Sequence, residues 1–263
     1  MTSALDDIAF LANSENRVQV LETLVDGPRG RDGVRDRVDA SRVTVARILR
    51  ECEARGWVSR AGGEYEATPL GEWVSGAFDR LIEEVEAGRR LREGLQWFPS
   101  DQLTFDVRCL RDAEVVLARE HDATAVVRRI VEFHRSGDRI RGVSRVAAPV
   151  FVENQWELTV NGDARLELVV TPGALDVVRS HPPSVRRFRE MLDEENTDCF
   201  VHDGIPISVG IVDGTVGINL VDEDGVLRGG LVSENETVRA WAVDLFERCR
   251  GRARPVGPEE ITA

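Results

Sequence analysis

Residues 41–68, SRVTVARILRECEARGWVSRAGGEYEAT, constrain the fold of this chain more than any other stretch. Ser41 is placed to accept a hydrogen bond from the free backbone N–H near Thr44 and so to start a helix. Val45, Ile48, Leu49 and Cys52 then recur at i, i+3, i+4 and i+7, one apolar stripe at helical period. At about 100° per residue, Val43, Arg47, Arg50 and Ala54 fall on the opposite side, with Ala46 flanking them. A merely solvated helix face would mix in more acids than this face of two arginines, a valine and small residues. Gly56 supplies a left-handed position that ends the helix. Residues 57–60 and 64–67 read as short strands around Gly62-Gly63, a hairpin signal. Thr68-Pro69 then reads as the cap and first residue of another helix.

Upstream, residues 3–12 and 14–25 read as helices. Ser14 caps the second, with Val18, Leu21 and Val25 on its buried face, and Gly27-Pro28 stops it. Residues 32–38 form a further helix with Val34 and Val38 inward. Two or three helices, an exposed helix and a hairpin make a winged helix-turn-helix. Arg29, Arg31, Arg35 and Arg37 cluster within reach of phosphates, although Asp32 and Asp36 offer each of them an ordinary surface partner instead. Downstream, residues 69–95 read as one long helix with Val74, Phe78, Leu81 and Val85 at steps of four, three and four, an a/d-type seam about two heptads long. That seam packs on its own winged domain, on a second subunit, or on each at different ends. Gly88 and Gly94 loosen the end of the helix, and QWFPSDQ reads as a linker.

Beyond residue 103 the pattern alternates. Strands are expected at 114–118, 139–146, 165–170, 199–202, 206–212, 216–220 and 227–232, and helices at 122–135, 151–161, from Thr171-Pro172, at 185–194 and at 236–250. Alternation of this kind implies an α/β domain with a partly parallel sheet, finishing in an antiparallel meander. The expected fold class is therefore an α+β winged helix-turn-helix N-terminal domain followed by an α/β domain with a mixed sheet. The expected division is 1–75 for the first domain, 76–97 for a connecting and dimerisation helix with linker, 98–256 for the second domain and 257–263 for a polar tail.

Charge narrows the function. All 34 basic residues are arginine, and against 47 acids they leave a net charge of −13. A lysine-free, acid-rich composition resembles that of salt-in halophile proteins, whose acidic surfaces maintain solubility. Within residues 28–60, however, nine arginines meet five acids, a net of +4, so the acidity is kept off the stretch expected to meet phosphate. The apolar runs are far short of the roughly 18 residues of a membrane span, and the N-terminus lacks a basic signal-peptide region, so a cytoplasmic protein with no membrane partner is expected. Cys52, Cys109, Cys199 and Cys249 lie far apart without a C-x-x-C pair, and each reads as a small hydrophobe. His121 and His134 leave opposite sides of one expected helix, and no zinc-type spacing occurs, so no metal is expected. Gly-rich phosphate loops are absent, and neither a cofactor nor catalysis is expected.

The motif SRVTVARILRECEARGWV, followed by a Gly-Gly wing ending in YEATPLG, resembles the archaeal winged-helix transcriptional regulators. The rest of the chain resembles, chiefly in hydrophobic spacing, the effector domain first named in a methanogenesis regulator and found in many haloarchaeal regulators. Such domains are distantly similar to the phospholipase-D-like half of TrmB-type regulators. The enzyme form of that fold needs H-x-K-x4-D, which a chain without lysine cannot contain.

The resemblance implies a sequence-specific DNA-binding regulator. Double-stranded DNA is expected to meet Arg42, Val43, Thr44, Ala46, Arg47, Arg50 and Arg60. A homodimer is expected through Val74, Phe78, Leu81 and Val85. A small, anionic effector is expected near Ser144, Arg145 and Thr171, where two strand ends meet a helix N-terminus. The alternative is a winged helix that binds protein within a transcription or replication complex.

Overall fold

The computed structural model describes residues 3–118, 121–122, 124–223 and 225–262. It divides into two compact units, Met1–Glu86 and Ala87–Ala263.

The first unit runs α1 (Ala4–Ala12), α2 (Glu15–Val25), β1 (Arg29–Gly30), α3 (Arg31–Arg35), α4 (Arg42–Ala54), β2 (Val58–Ala61), β3 (Glu64–Ala67) and the first part of α5 (Pro69–Leu95). A capping box opens α1: the Ser3 hydroxyl accepts from the Asp6 N–H, and the Asp6 carboxylate accepts from the Ser3 N–H. Ser14 stands at the N-cap of α2, but its side chain makes no capping bond. The helix expected over 32–38 is a short Arg31–Arg35 segment, with Val34 and Val38 buried as expected. Ser41 accepts from the Thr44 N–H at 3.1 Å and starts α4. Gly56, at φ +71°, ends it, and the Trp57 N–H returns to the Cys52 carbonyl. Gly62 and Gly63, at φ +60° and +94°, make the wing turn between β2 and β3. Thr68 then ties the wing to the helix, donating from its hydroxyl to the Gly56 carbonyl at 2.6 Å and accepting from the Gly71 N–H at 3.1 Å. Leu11, Val20, Val34, Val45, Ile48 and Leu49 are central to the core of this unit.

The a/d seam expected along α5 is only half realised. The face turned into the winged-helix core carries Gly71, Ser75 and Phe78, all buried. A Cβ at Gly71 would collide with the Trp57 carbonyl, so the helix lies against that backbone, and small residues are required where the seam would place large ones. Phe78, 8% exposed, is therefore part of the core, and Val74 is packed against the same core. Leu81 and Val85 stay exposed.

The second unit is an eight-stranded mixed sheet. After the end of α5 come a 3-10 turn (Val107–Leu110), β4 (Glu114–Leu117), α6 (Ala125–His134), β5 (Arg139–Ser144), α7 (Pro149–Thr159), β6 (Arg165–Val170), α8 (Pro172–Arg179), α9 (Pro182–Leu192), β7 (Thr197–Val201), β8 (Ser208–Val212), β9 (Thr215–Val221), β10 (Leu227–Ser233), α10 (Glu236–Arg250), β11 (Arg254–Pro255) and a 3-10 turn (Pro258–Glu260). The strand order is β11-β7-β6-β5-β8-β9-β10-β4, with β5, β6 and β7 parallel and the other pairings antiparallel. One face carries α10 and buries Val143, Val169, Val209, Ile218, Trp241 and Phe246. The other carries α7, α8 and α9 and buries Ile140, Leu166, Leu175, Phe188 and Met191.

The division between units, at Glu86/Ala87, falls inside the expected 76–97 connector. Tertiary packing overrides local composition at two places. The stretch that reads as a linker holds Phe98, which is buried against Phe105 and Trp241 at centroid distances of 6.5 and 5.9 Å. The expected polar tail holds Ile261, which is fully buried.

Glycines thin the sheet at one place. Gly142 of β5, Gly210 of β8 and Gly217 of β9 are directly opposed across three strands. Phe133 of α6 lies on that row, and a Cβ at Gly217 would come within 2.7 Å of its ring. Gly217→Ala is expected to destabilise the protein by about 1–3 kcal/mol through overpacking. Gly173→Ala, where the added carbon meets nothing within 4 Å beyond its chain neighbours and its own helix backbone, should be neutral or slightly stabilising. Chemical denaturation of the two variants checks the contrast.

Candidate nucleic-acid interface and ligand cavity

The outward face of α4 presents Arg42, Val43, Arg47 and Arg50 together, with Ala46 half-buried between them. Val43 is 79% exposed, more than any other large hydrophobic residue described. The arginines are held by weak surface partners: Arg42 by Asp32 at 3.0 Å, Arg47 by Glu51 at 3.3 Å, and Arg50 by the Ala46 carbonyl. Exposed pairs of this kind contribute about 0–1 kcal/mol, so a phosphate or a base edge can compete for these groups. Thr44 differs from expectation. Its hydroxyl shares a 2.9 Å bond with Ser41 and so belongs to the helix cap.

On the wing, the Arg60 guanidinium lies 5.3 Å from the centre of the Tyr65 ring, and Arg31 donates to the Tyr65 hydroxyl at 3.1 Å. The one tyrosine of the chain thus anchors a wing arginine and an arginine of α3. Sequence reasoning had no role for Tyr65, because pairing β3 with β1 and β2 is what brings these groups together.

In the second unit the three residues expected to hold an anion do different things. Thr171 accepts from the Ala174 N–H and caps α8. Arg145 is exposed, and its side chain donates to the Pro206 carbonyl at 3.0 Å. Ser144 lines a cavity, but its hydroxyl donates to the Val146 carbonyl at 2.7 Å. No cationic group joins them among the described residues, so the expected anion site is not assembled from these three.

What lies there is an apolar cavity of about 90 Å³ between the sheet and helices α6 to α9. Its wall includes Ile140, Val152, Leu168, Leu175, Phe188 and Met191. Gly142 and Gly210 form part of its floor, since strand residues without side chains leave space above the sheet. Its polar groups come from His134, Gln155, Ser144 and Asn219. Arg141 also borders it, but its side chain turns to the opposite face, where it pairs with Glu247 and lies over Phe246.

At the wall, Gln155 Nε2 and His134 Nδ1 are joined by a side-chain hydrogen bond of 3.0 Å. Gln155 Oε1 is buried with no partner. The neighbouring Asn154 accepts from Arg135 outside the cavity. Burial pushes the thiols of both Cys52 and Cys199 up to about 12, and raises Cys249 as well, which keeps these three protonated.

A winged helix-turn-helix joined to a mixed-sheet α/β unit defines the class of protein. Residues 5–90 match the family model described as the HVO_A0261 N-terminal domain, and residues 123–252 match the middle domain of the methanogenesis regulatory protein FilR1. The chain thus carries one domain similar to each of these two. Among solved structures, TrmBL2, an archaeal chromatin protein, is 15% identical over 97% of this chain and 100% of that one, with a TM-score of 0.44. Nuc, a phospholipase D family member from Salmonella typhimurium, is 13% identical over 55% of this chain and 97% of its own, with a TM-score of 0.42. A putative IclR-family transcriptional regulator from Rhodococcus sp. is 16% identical over 92% and 94%, with a TM-score of 0.21. No curated protein matches the chain.

Burial lowers His134 from 6.5 to about 4. The unfolded chain therefore takes up a proton near pH 6.5, whereas the folded chain resists it until about pH 4. Stability from this group is complete above pH 6.5 and is lost as the pH falls to 4, on the order of 3 kcal/mol in all. Between pH 7 and pH 4.5, denaturation midpoints of the His134→Asn variant should fall less than those of the native chain. An equal fall would show that carboxylates alone set the acid sensitivity.

Proposed function

We propose that this protein is a DNA-binding transcriptional regulator that acts as a homodimer and is modulated by a small molecule held in its second unit. The observation that carries the DNA-binding part is the outward face of α4, where an exposed valine stands among Arg42, Arg47 and Arg50 on a chain otherwise strongly acidic. Arginine reads guanine O6 and N7 bidentately in the major groove, and an apolar group meets the thymine methyl. Arg60 on the wing and Arg42 at the start of the helix suit phosphate contacts, which position the protein without reading sequence. The reading agrees with the regulatory character of the protein whose middle domain is matched, and TrmBL2 is itself a protein with its own mode of DNA binding. The phospholipase motif cannot occur in a chain without lysine.

Arg47→Ala is expected to weaken binding to the cognate site by about 1–3 kcal/mol and to random DNA far less. Arg42→Ala and Arg60→Ala should weaken both about equally and reduce the salt dependence by about one unit of slope each. Binding measured on cognate and random duplexes across a salt series checks this. Equal losses at Arg47 would reduce it to a phosphate contact. Failure to bind any duplex would favour the protein-binding alternative.

The dimer rests on a second observation within the first unit. Ile8 of α1 with Leu70, Trp73, Ala77 and Leu81 of α5 line an open groove of about 410 Å³, and Trp73 is 75% exposed. A contiguous apolar patch of this kind marks an interaction surface, and a second copy is the occupant that matches a two-fold symmetric DNA site. Val74 and Phe78 line the floor of the same groove, and the proposed contact runs from it to the exposed Leu81 and Val85. Trp73→Glu combined with Leu81→Glu should yield monomers in light scattering without loss of helicity. A persistent dimer would place the interface elsewhere in the chain.

A further inference from the structure

We infer that the cavity between the β5–β8 floor and helices α6 and α7 binds a small, uncharged, mostly apolar molecule carrying one hydroxyl group, of the size of a simple phenol or cyclic alcohol. The inference rests on the regulator reading above for its biological meaning, but not for its chemistry.

Four features of the wall select this class. The space is formed by the glycine row: Gly142 and Gly210 oppose one another on adjacent strands, and α6 and α7 bridge the gap above them. At about 90 Å³ it is of the same order as the roughly 150 Å³ apolar cavities that take up benzene. The wall is aliphatic and aromatic, and no charged side chain among the described residues faces it once Arg141 has turned to Glu247. An ionised ligand would lose its hydration there without a counter-charge, whereas a neutral ring would bury apolar surface.

Hydrogen bonding supplies the last constraint. With Gln155 Nε2 donating to His134 Nδ1, the ring proton sits on Nε2, on the side of Gly210: a Cβ built there would lie 3.5 Å from Nε2. The wall therefore offers one N–H donor from His134 and one buried acceptor, Gln155 Oε1, that has no partner. Turning the amide over reverses both roles. A hydroxyl, which donates and accepts, complements either arrangement. Leaving a buried polar atom unpaired is costly, so a ligand that satisfies it gains over an apolar ligand of equal size.

The chain has two methionines, of which Met191 lines the cavity, so methyl labelling gives a reporter at the site itself. The experiment titrates the full chain, labelled with 13C at the methionine methyls, with phenol, toluene and benzoate as probes. Phenol is expected to shift the Met191 signal saturably and to leave the Met1 signal in place. Toluene should bind about tenfold more weakly, the value of one neutral hydrogen bond. Benzoate should not shift Met191 over the same range. In the volume-conserving Gln155→Leu variant the preference for phenol over toluene should fall to within about twofold. Should that variant not fold, the order of the three probes on the native chain decides the matter by itself. Equal binding of toluene and phenol, tighter binding of benzoate, or a Met191 signal that no probe moves would each overturn the assignment. DNA affinity measured with and without phenol reads the regulator proposal separately. A Met191 shift without any effect on DNA binding would remove regulation through this site and leave the ligand chemistry standing.

Discussion

The second unit depends on one close approach, the seating of α6 on a row of opposed glycines. Phe133 reaches the sheet because Gly210 and Gly217 have no side chains there, and its neighbour His134 is carried into the interior with it. Helix α7 then closes over the same gap and brings Gln155 against His134. Had Gly142 or Gly210 carried an ordinary strand side chain, the two helices would have packed on a filled surface. Sheet and helices instead stand apart just enough to leave an apolar space with two polar groups at its wall. A histidine in this setting stays neutral, because nothing nearby compensates a buried charge.

The first unit is governed by electrostatics on a protein whose acidity lies outside residues 28–60. Its arginines are not idle: several are paired with Asp32, Asp36 or Glu51 on the same surface. Those pairs are exposed and individually weak, about 0–1 kcal/mol, whereas a bidentate contact with guanine discriminates by about 1–3 kcal/mol. The internal acids therefore hold the side chains without competing seriously with a base edge. A half-buried arginine behaves differently. Arg55 bonds Asp7 at 3.0 Å and lies 3.9 Å from the centre of the Phe10 ring, which ties α1 to the end of α4 and makes it structural.

Helix α5 shows why an apolar pattern does not by itself say which face is buried. The heptad positions attract attention because they hold large residues, yet the helix begins so close to the Trp57 carbonyl that only glycine fits at position 71. The large residues are displaced sideways. Phe78 enters the core, while Trp73 and Leu81 face outward. The result is an open apolar groove on the unit that is proposed to meet a two-fold symmetric partner.

Local chemistry alone determined a good deal of this protein. Ser41, Gly56, the Gly62-Gly63 pair and Thr68 specify the start and end of α4, the wing turn and the entry to α5, because caps and tight turns depend on residues within a few positions of one another. The bounds of β6 and α10, and the mixed character of the sheet, follow from periodicity in the same way. Mid-strand glycines were also visible in RIRGVS, SVGIV and TVGINLV, and their spacing was the available signal for the cavity. Gly210 and Gly217 face one another across a single hairpin, but only the tertiary structure decided that Gly142, 68 residues before Gly210, joins their row, since the register of β5 on β8 is set by long-range pairing. It alone placed Tyr65 between two arginines, turned Phe78 inward, sent Arg145 to a backbone carbonyl and buried Ile261. Each of these outcomes depends on what faces a side chain from a distant part of the chain, and no pattern along the sequence carries that.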